Sequence, residues 1–311
     1  RPYNWEFSTG VQHEIVPRVS VDVSYYRRWF GNFFVTDNTQ TAAADYQRWT
    51  VAVPQDPRLP TAGEAATFVN ITPAASARPA QNYQTFETDY ADARTQYWHG
   101  VNTNVTARLR FGLTLQGGTT TGPGVQNTCD LWAALPELQV VANVNQQVDS
   151  CDVVEPFLTT FRGLAAYTVP KIEVLVSTNM RSVPGASLGA GSVSATKGRS
   201  INANYKVPNL VVQQTLGRLP ANGLANGTTS VNLLTPGLLY GERITQFDMR
   251  FAKVLHFGGT RADIGIDLYN IINANTQPGY NQTFGNDGTG LWRPTSIQNA
   301  RFARFNVRFD F

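Results

Sequence analysis

The side chains best suited to catalysis are few in this 311-residue chain and lie far apart. Its three histidines, His13, His99 and His256, belong to no Ser/His/Asp or HExxH pattern. The acidic residues occur singly, and a carboxylate pair of the glycosidase type leaves no sequence signature, so that alternative stays open. The glycines of GGTTTGPG (117–124) lack the strand–loop–helix context and the Lys-Ser/Thr of a phosphate loop. We therefore predict that the chain is not an enzyme and needs no cofactor.

Metal-binding patterns are equally weak. Cys129 and Cys151 have no third cysteine and no nearby histidine to complete a zinc site. In an oxidising compartment they would form a local disulfide, and two free thiols are the alternative. Asp37, Asp45 and Asp56 share one segment, but their spacing fits no EF-hand calcium loop. The sequence predicts no metal site.

The composition excludes several classes of protein. Only 15% of residues are charged, 11% are aromatic and 26 are glycine, and no stretch of about 18 apolar residues exists to form a transmembrane helix. The net charge of +3 comes from 25 basic and 22 acidic residues without any basic run, so we predict no nucleic-acid partner. A transmembrane β-barrel stays compatible, because its strands alternate in polarity and average to a near-neutral hydropathy. The chain begins at Arg1 without a signal peptide, which predicts a processed chain or a fragment.

Strict alternation of apolar and polar residues is the strongest pattern. It occurs in VSVDVSYY (19–26), VNTNVTARL (101–109), ADIGIDL (262–268) and the closing FNVRFDF (305–311). Successive side chains of a β-strand lie on opposite faces, so each segment predicts a strand with one apolar and one polar face. This pattern suits a wall with lipid on one side and water on the other.

The connections alternate in length. Short turns are predicted at 14–19, 109–114, 168–173 and 256–261, and long loops at 34–95, 122–158, 184–240 and 274–299. The nine strands between them are predicted at 3–15, 18–33, 96–110, 112–122, 158–169, 171–183, 242–256, 260–273 and 300–311. The strand-like segments 45–54 and 201–208 are placed inside external loops. The predicted fold class is all-β: a partial antiparallel outer-membrane β-barrel in one domain, 1–311, with tight turns at one rim and long loops at the other.

The odd number of strands carries a further expectation. Bacterial single-chain barrels have an even number of strands with both ends on the periplasmic side. Nine strands that end inside must begin outside, so at least one strand is expected before Arg1.

At this point the sequence resembles a known family, the TonB-dependent transporters of the outer membrane. A "D-x-R-x-x-K" strand is matched by Asp248, Arg250 and Lys253, and a "D-x-Y-N-x-x-N" strand end by Asp267, Tyr269, Asn270 and Asn273. The chain then ends on Phe311, as in that family. DPRLP (56–60), the two cysteines, TVP (168–170) and VPG (183–185) resemble the subgroup with an N-terminal carboxypeptidase-regulatory-like domain.

The resemblance implies a 22-stranded barrel with an internal plug domain and uptake of a ligand energised from the inner membrane. It also implies a bacterial outer-membrane location, and a Phe-ended last strand that the barrel-assembly machinery reads. These 311 residues show no plug domain and no energy-coupling box. We therefore expect the chain to be the C-terminal part of a larger barrel, which would meet an energy-coupling protein only through a plug located elsewhere.

Roles follow for individual residues. We predict that four residues face lipid and carry the assembly signal: Phe305, Val307, Phe309 and Phe311. We predict that eight charged residues face the lumen: Asp22, Arg108, Asp248, Arg250, Asp263, Asp267, Arg308 and Asp310. Charge pairing between neighbouring strands explains these residues without any ligand and is the simpler interpretation. We predict that six aromatic residues lie at the membrane–water interface: Tyr25, Tyr26, Trp29, Phe30, Tyr97 and Trp98. The alternative is that they form a stacking platform for a sugar or another flat ligand.

Two other functions remain open from the sequence. One is a secreted all-β module that binds carbohydrate through aromatic loops, and the other is a small plugless porin-like barrel. The first predicts that the apolar faces are buried in protein. The second requires one strand beyond the nine counted.

Overall fold

The computed structural model describes residues 1–90, 94–185, 202–285 and 290–310. The all-β class and the nine long antiparallel strands predicted from the sequence are confirmed. The segment 158–169 forms a strand with the predicted bounds, and the other eight strands agree to within a few residues at each end.

The strands of the described residues are, in chain order, β1 (Tyr3–Val16), β2 (Val19–Gly31), β3 (Phe34–Asn38), β4 (Tyr46–Ala52), β5 (Ala65–Ile71), β6 (Asn82–Phe86), β7 (Thr95–Arg108), β8 (Thr114–Gly122), β9 (Gly124–Asn127), β10 (Val140–Val141), β11 (Val144–Asn145), β12 (Asp152–Val154), β13 (Leu158–Val169), β14 (Val174–Val183), β15 (Asn204–Pro208), β16 (Thr228–Asn232), β17 (Ile244–Phe257), β18 (Thr260–Tyr269), β19 (Gly279–Tyr280), β20 (Thr283–Phe284), β21 (Pro294–Ser296) and β22 (Phe302–Asp310). The helices of the same residues are α1 (Pro73–Ser76), α2 (Cys129–Ala134), α3 (Asn209–Leu216) and the 3-10 turns Ala43–Asp45, Glu87–Asp89, Arg110–Gly112, Pro136–Gln139 and Val148–Cys151.

The main sheet follows the chain. Its order is β1-β2-β7-β8-β13-β14-β17-β18-β22, each strand antiparallel to the next, with short β9 and β12 attached beside β7. Tight turns join β1 to β2, β7 to β8, β13 to β14 and β17 to β18, and the long loops leave from the opposite rim. At the β17–β18 turn, Gly258 adopts a φ of 61°, a left-handed conformation that glycine accepts without a Cβ penalty.

Several strands are shorter than predicted. β18 ends at Tyr269 instead of 273, because Asn270 turns to a φ of 49° and donates its backbone N–H to Asp248 at 2.8 Å. β2 ends at Gly31 because Asn32 turns to a φ of 57°. Local left-handed turns therefore end these strands before the alternating pattern of the sequence does.

The sheet has two chemically distinct faces, because directly paired residues of neighbouring strands share a face. The face that contains Val105, which we call the apolar face, exposes these large apolar side chains: Tyr3, Trp5, Phe7, Val11, Val16, Val23, Trp29, Val101, Val105, Leu115, Phe161, Ile264, Phe305, Val307 and Phe309. The opposite, polar face carries mostly charged and amide side chains, although Leu164 and Phe302 also lie there.

The main hydrophobic core lies in the loops. It consists of Trp49, Val51, Val53, Leu59, Ala66, Phe68, Ala203, Val207, Val212, Val231, Leu233, Leu234, Phe284 and Leu291, and we call it the loop core. Three of the four long loops contribute to it. Segments 45–54 and 201–208, predicted as ordered loop structure, supply β4 and β15. The buried apolar side chains of the nine long strands are three alanines, Ala107, Ala252 and Ala262, so the described sheet has no large core of its own.

A smaller cluster joins two of the loops. Val35 of β3 packs with Leu131 and Leu135, which lie in and just after α2. A disulfide between Cys129 and Cys151, with their Cα atoms 4.8 Å apart, holds the segment that carries α2.

Candidate functional site

A carboxylate held between two arginines is the most connected polar group of the sheet. Asp267 of β18 is only 6% exposed. It accepts hydrogen bonds from Arg304 at 3.0 Å and from Asn306 at 2.9 Å, both on β22. Arg250 of β17 lies 3.5 Å away on the other side and donates to Asn306 at 3.0 Å. Charge-assisted bonds of this kind fix three adjacent strands in register on the polar face.

A second group of hydrogen bonds, around Asp248 in the pocket that Asp267 also lines, fastens a long loop to the sheet. Asp248 accepts a side-chain bond from Gln246 at 2.9 Å as well as the backbone N–H of Asn270. The side chain of Asn270, 3% exposed, donates to the carbonyls of Ala274 at 2.9 Å and Asn299 at 2.8 Å. Asn270 therefore holds the beginning and the end of the β18–β22 loop together.

The residues that carried the family resemblance meet in space. Asp248, Arg250 and Asp267 line one pocket, Asn270 bonds to Asp248, and the guanidinium of Arg304 lies 5.6 Å from the ring centre of Tyr269. Lys253 lies on the apolar face instead, near the tight-turn rim, where it donates to the carbonyl of Ile172. The "D-x-R-x-x-K" spacing thus supplies two polar-face groups and one apolar-face group.

The residues predicted to face a lumen share the polar face. Register places Asp22, Arg108, Asp248, Arg250, Asp263, Asp267 and Arg308 on it. Asp310 pairs with Arg261 in the ladder, and its side chain lies outside the described residues. The structure brings Asp248, Arg250 and Asp267 together, whereas Asp22 makes its own contact, accepting from Ser24 at 3.1 Å.

The residues predicted to face lipid lie together on the apolar face. Phe305 is 81% exposed, and Val307 and Phe309 are exposed beside it. Phe311 lies outside the described residues.

The aromatic residues predicted for the membrane–water interface divide between the two faces of the sheet. Tyr25, Trp29 and Tyr97 lie on the apolar face, where an aromatic girdle would meet lipid. Tyr26, Phe30 and Trp98 lie on the polar face. The reason is the two-residue period: consecutive aromatics in a strand cannot share a face.

The loops bring two acidic side chains together, Asp37, which is buried, and Glu137, which is partly buried. Asp37 of β3, 7% exposed, accepts a hydrogen bond of 2.8 Å from the hydroxyl of Tyr90, and this bond raises the pKa of Tyr90 to about 12. Burial raises the pKa of the nearby Glu137 carboxyl, and the Asp37 carboxylate raises it further, against the backbone N–H bonds that lower it. This pair lies beside the contact between Val35 and Leu135 that joins the two loops.

Within the described ranges, the structure has neither a helix that could span a membrane nor a cluster of metal-binding side chains. No helix there is long and apolar enough to cross a bilayer. No group of three or more His, Cys, Asp or Glu side chains in those ranges is arranged to hold a metal ion.

Sequence reasoning missed several of these groups. Arg304 and Asn306 were not singled out, although alternation along β22 already placed them on one face with Arg308. Glu6 and Arg28 form an ion pair across β1 and β2. No sequence signal predicts the approach of Asp37 to Glu137, since these residues are 100 positions apart.

Comparison with known proteins gives little. No protein-family model matches the chain, and no curated protein matches it either. Among solved structures, the chain is similar to the outer membrane transporter YddB from Escherichia coli, with a TM-score of 0.42 and 11% sequence identity. The comparison covers 99% of this chain and 32% of that one, so the chain spans about a third of that transporter's length. A TM-score this low carries no argument about function.

Proposed function

We propose that the nine-stranded sheet is a section of the wall of an outer-membrane β-barrel, with the apolar face against lipid and the polar face against water. The observation that supports this proposal is the exposure of the large side chains on the apolar face. Phe305 at 81% exposure and Trp5 at 62% exposure lie on the two edge strands of this face, with further exposed apolar side chains on the strands between them. A soluble protein rarely exposes an apolar patch beyond a few hundred Å² to water, whereas lipid covers such a face without cost.

The two other functions considered from the sequence have less support. A secreted carbohydrate-binding module would bury this face in protein, whereas its large apolar side chains, such as Trp5, Val105 and Phe305, are exposed in the described residues. A small porin-like barrel would pair its first and last strands, and in the described sheet β1 and β22 are opposite edges. We therefore favour a section of a larger wall, formed by residues 1–311 as one domain.

We further assign the wall to a transporter of the TonB-dependent type that takes up an unidentified ligand without chemical conversion. Support comes from the motif residues Asp248, Arg250 and Asp267, which line one pocket between β17, β18 and β22, and from Asn270, which donates its backbone N–H to Asp248. Its partners would be outer-membrane lipid, the barrel-assembly machinery and an energy-coupling protein.

A pair of neighbouring substitutions tests the wall. Val101 lies on the apolar face of the inner strand β7, opposite Tyr25 and so near the middle of the apolar band, and Asn102 lies next to it on the polar face. In lipid, Val101→Arg should cost about 2–4 kcal/mol of folding free energy, while Asn102→Arg should cost little. In water the exposed Val101 site would accept arginine almost freely. Equal stability of the two variants in urea unfolding from lipid vesicles would reject the membrane wall.

Energy coupling needs its own test. The native polypeptide, extracted from the outer membrane, should co-purify with the periplasmic part of an energy-coupling protein and should show an intact mass above 34.2 kDa. A native mass of 34.2 kDa without any such complex would contradict both energised transport and a wall formed by a longer chain.

A further inference from the structure

Arg27 lies on the apolar face of the sheet although it carries a positive charge. Arg27 and Arg28 are consecutive in β2 and lie on opposite faces. On the polar face, Arg28 forms an ion pair with Glu6. On the apolar face, Arg27 is exposed, and within the described ranges no carboxylate lies at ion-pair distance from it. A guanidinium without a counter-ion on a lipid-facing surface is costly unless an anion meets it there.

Aromatic rings surround this guanidinium. Its carbon lies 5.4 Å from the ring centre of Tyr97 and 6.0 Å from that of Trp29. Phe7 and His99 are its direct partners in the ladder, on β1 and β7. Ring contacts at these distances hold a cation in place by cation–π attraction while leaving its N–H donors free to bind a ligand.

A groove of about 570 Å³ runs beside Arg27, lined by Phe7, Trp29, Phe30, Tyr97 and Arg94 among others. The charge of Arg94 is neutralised by Glu87 at 2.5 Å, so Arg27 is the guanidinium of this groove that no carboxylate pairs within the described ranges. The groove thus combines an apolar aromatic wall with an unneutralised guanidinium. This combination fits a molecule that has both a hydrocarbon part and an anionic head.

The position of Arg27 along β2 also agrees with a ligand that has a hydrocarbon part and an anionic head. Arg27 follows the first residue of β2, Val19, by eight residues, roughly 26 Å along the strand. At a strand tilt of about 40° that is roughly 20 Å in height, and a long arginine side chain reaches from there to the edge of an apolar band about 25 Å tall. The guanidinium would then lie at the headgroup level of the leaflet that the long loops face.

The same arrangement recurs further along this rim. Arg243, just before β17, places its guanidinium 5.6 Å from the ring centre of Phe161 on the apolar face and donates to the Thr159 carbonyl at 2.9 Å. Arginine beside an aromatic ring is therefore repeated at the long-loop rim of the apolar face.

We infer that Arg27, with Trp29, Tyr97 and Phe7, binds the phosphate headgroup of an anionic lipid in the leaflet on the long-loop side. The guanidinium fork matches two phosphate oxygens, and the aromatic groove takes the adjoining acyl chain. This inference rests on the proposed membrane wall.

The test uses the full chain inserted into phosphatidylcholine vesicles that contain a minor fraction of phosphatidic acid. After mild detergent extraction, native mass spectrometry counts the lipids retained. Wild type should retain phosphatidic acid in preference to phosphatidylcholine. Arg27→Gln should lower that preference about fivefold, because a charged hydrogen-bond donor is lost.

Two further variants make the result specific. Arg28→Gln changes the same charge on the opposite face and should leave lipid retention unchanged. Arg27→Lys keeps the charge but loses the planar fork, so it should restore retention only in part. Equal retention by wild type and Arg27→Gln, or an equal loss in Arg28→Gln, would overturn the site.

Two controls separate the alternatives. Soluble glycerol phosphate at matched concentration should not displace the lipid, since it lacks the chain that fills the groove, and full displacement would overturn a lipid site. If wild type and variants alike fail to insert into vesicles, the membrane wall falls and the lipid site with it. If all insert and retain lipid equally, the lipid site alone falls.

Discussion

Trp49 and Phe68 pair across β4 and β5 with their ring centres 5.1 Å apart, inside a core built from loop residues. Both side chains are almost completely buried, whereas the sheet below exposes side chains on both faces. Residues of three long loops therefore pack together into one layer at the rim, instead of each loop folding separately.

This loop core predicts a local effect of cavity formation. Phe68→Ala should cost about 3–5 kcal/mol, because it removes a fully buried ring from contacts that cannot collapse completely. Hydrogen exchange should then speed up in β4 and β15. Leu224→Ala, at a 72% exposed position of another contributing loop, is the control and should change nothing measurable. Faster exchange throughout β7 and β17 in the Phe68 variant would show that loops and sheet unfold as one unit, contrary to this expectation.

The carboxylate of Asp267 should be worth more than its neighbour on the same strand. Asp267→Asn leaves Arg250 and Arg304 without their shared anion and should destabilise the protein by about 2 kcal/mol. Asp263→Asn removes a pair with Arg261 two residues away in the same strand, at 3.1 Å, and should cost less than about 1 kcal/mol. Urea unfolding monitored by circular dichroism measures both. Equal losses would mean that the network adds nothing beyond a single surface pair.

The contact between the first two long loops should weaken as pH rises. The pKa of Glu137 is raised above its ordinary value of 4.5, mainly by burial. For an acid with a raised folded-state pKa, the stabilising contribution is complete below pH 4.5 and is lost as pH rises through the folded-state pKa. Asp37 and Tyr46 face this carboxyl, and Tyr90, which donates to Asp37 and has its pKa at about 12, stays protonated throughout.

Glu137→Gln should abolish this dependence. Hydrogen exchange of residues 131–138, compared with wild type at each pH, should show greater protection in the variant at about pH 8 and little difference at about pH 4. Glu64→Gln, an exposed loop carboxylate, serves as the control. A wild-type difference that does not grow with pH would rule out Glu137 as the source.

The disulfide should stabilise one loop and leave the sheet alone. Replacing Cys129 and Cys151 by serine removes a cross-link with a sequence separation of 22 and should cost the loop about 3 kcal/mol in the chain-entropy description. Chymotrypsin should then cut near Leu131 and Trp132 faster than in wild type. The strands β13 and β14 should keep their exchange protection, and its loss would show that the loop supports the wall.

The sequence by itself determined the strands and their faces. A period of two is a local property, so alternation in 101–109 or 262–268 predicts both a strand and which residues share a side. Glycine and proline at the short connections are local too, and they placed the turns within a few residues. The eight charged residues predicted for one face followed from the same parity.

The tertiary structure decided what the faces and loops bring together. Asp267 meets Arg304 because of the β18–β22 register, and Trp49 lies in one core with Val207 because separate loops pack. Asp37 approaches Glu137, and Tyr97 approaches Arg27, across long stretches of chain. Such contacts depend on register and on loop packing, which many distant residues set jointly, and no short segment of sequence carries that information.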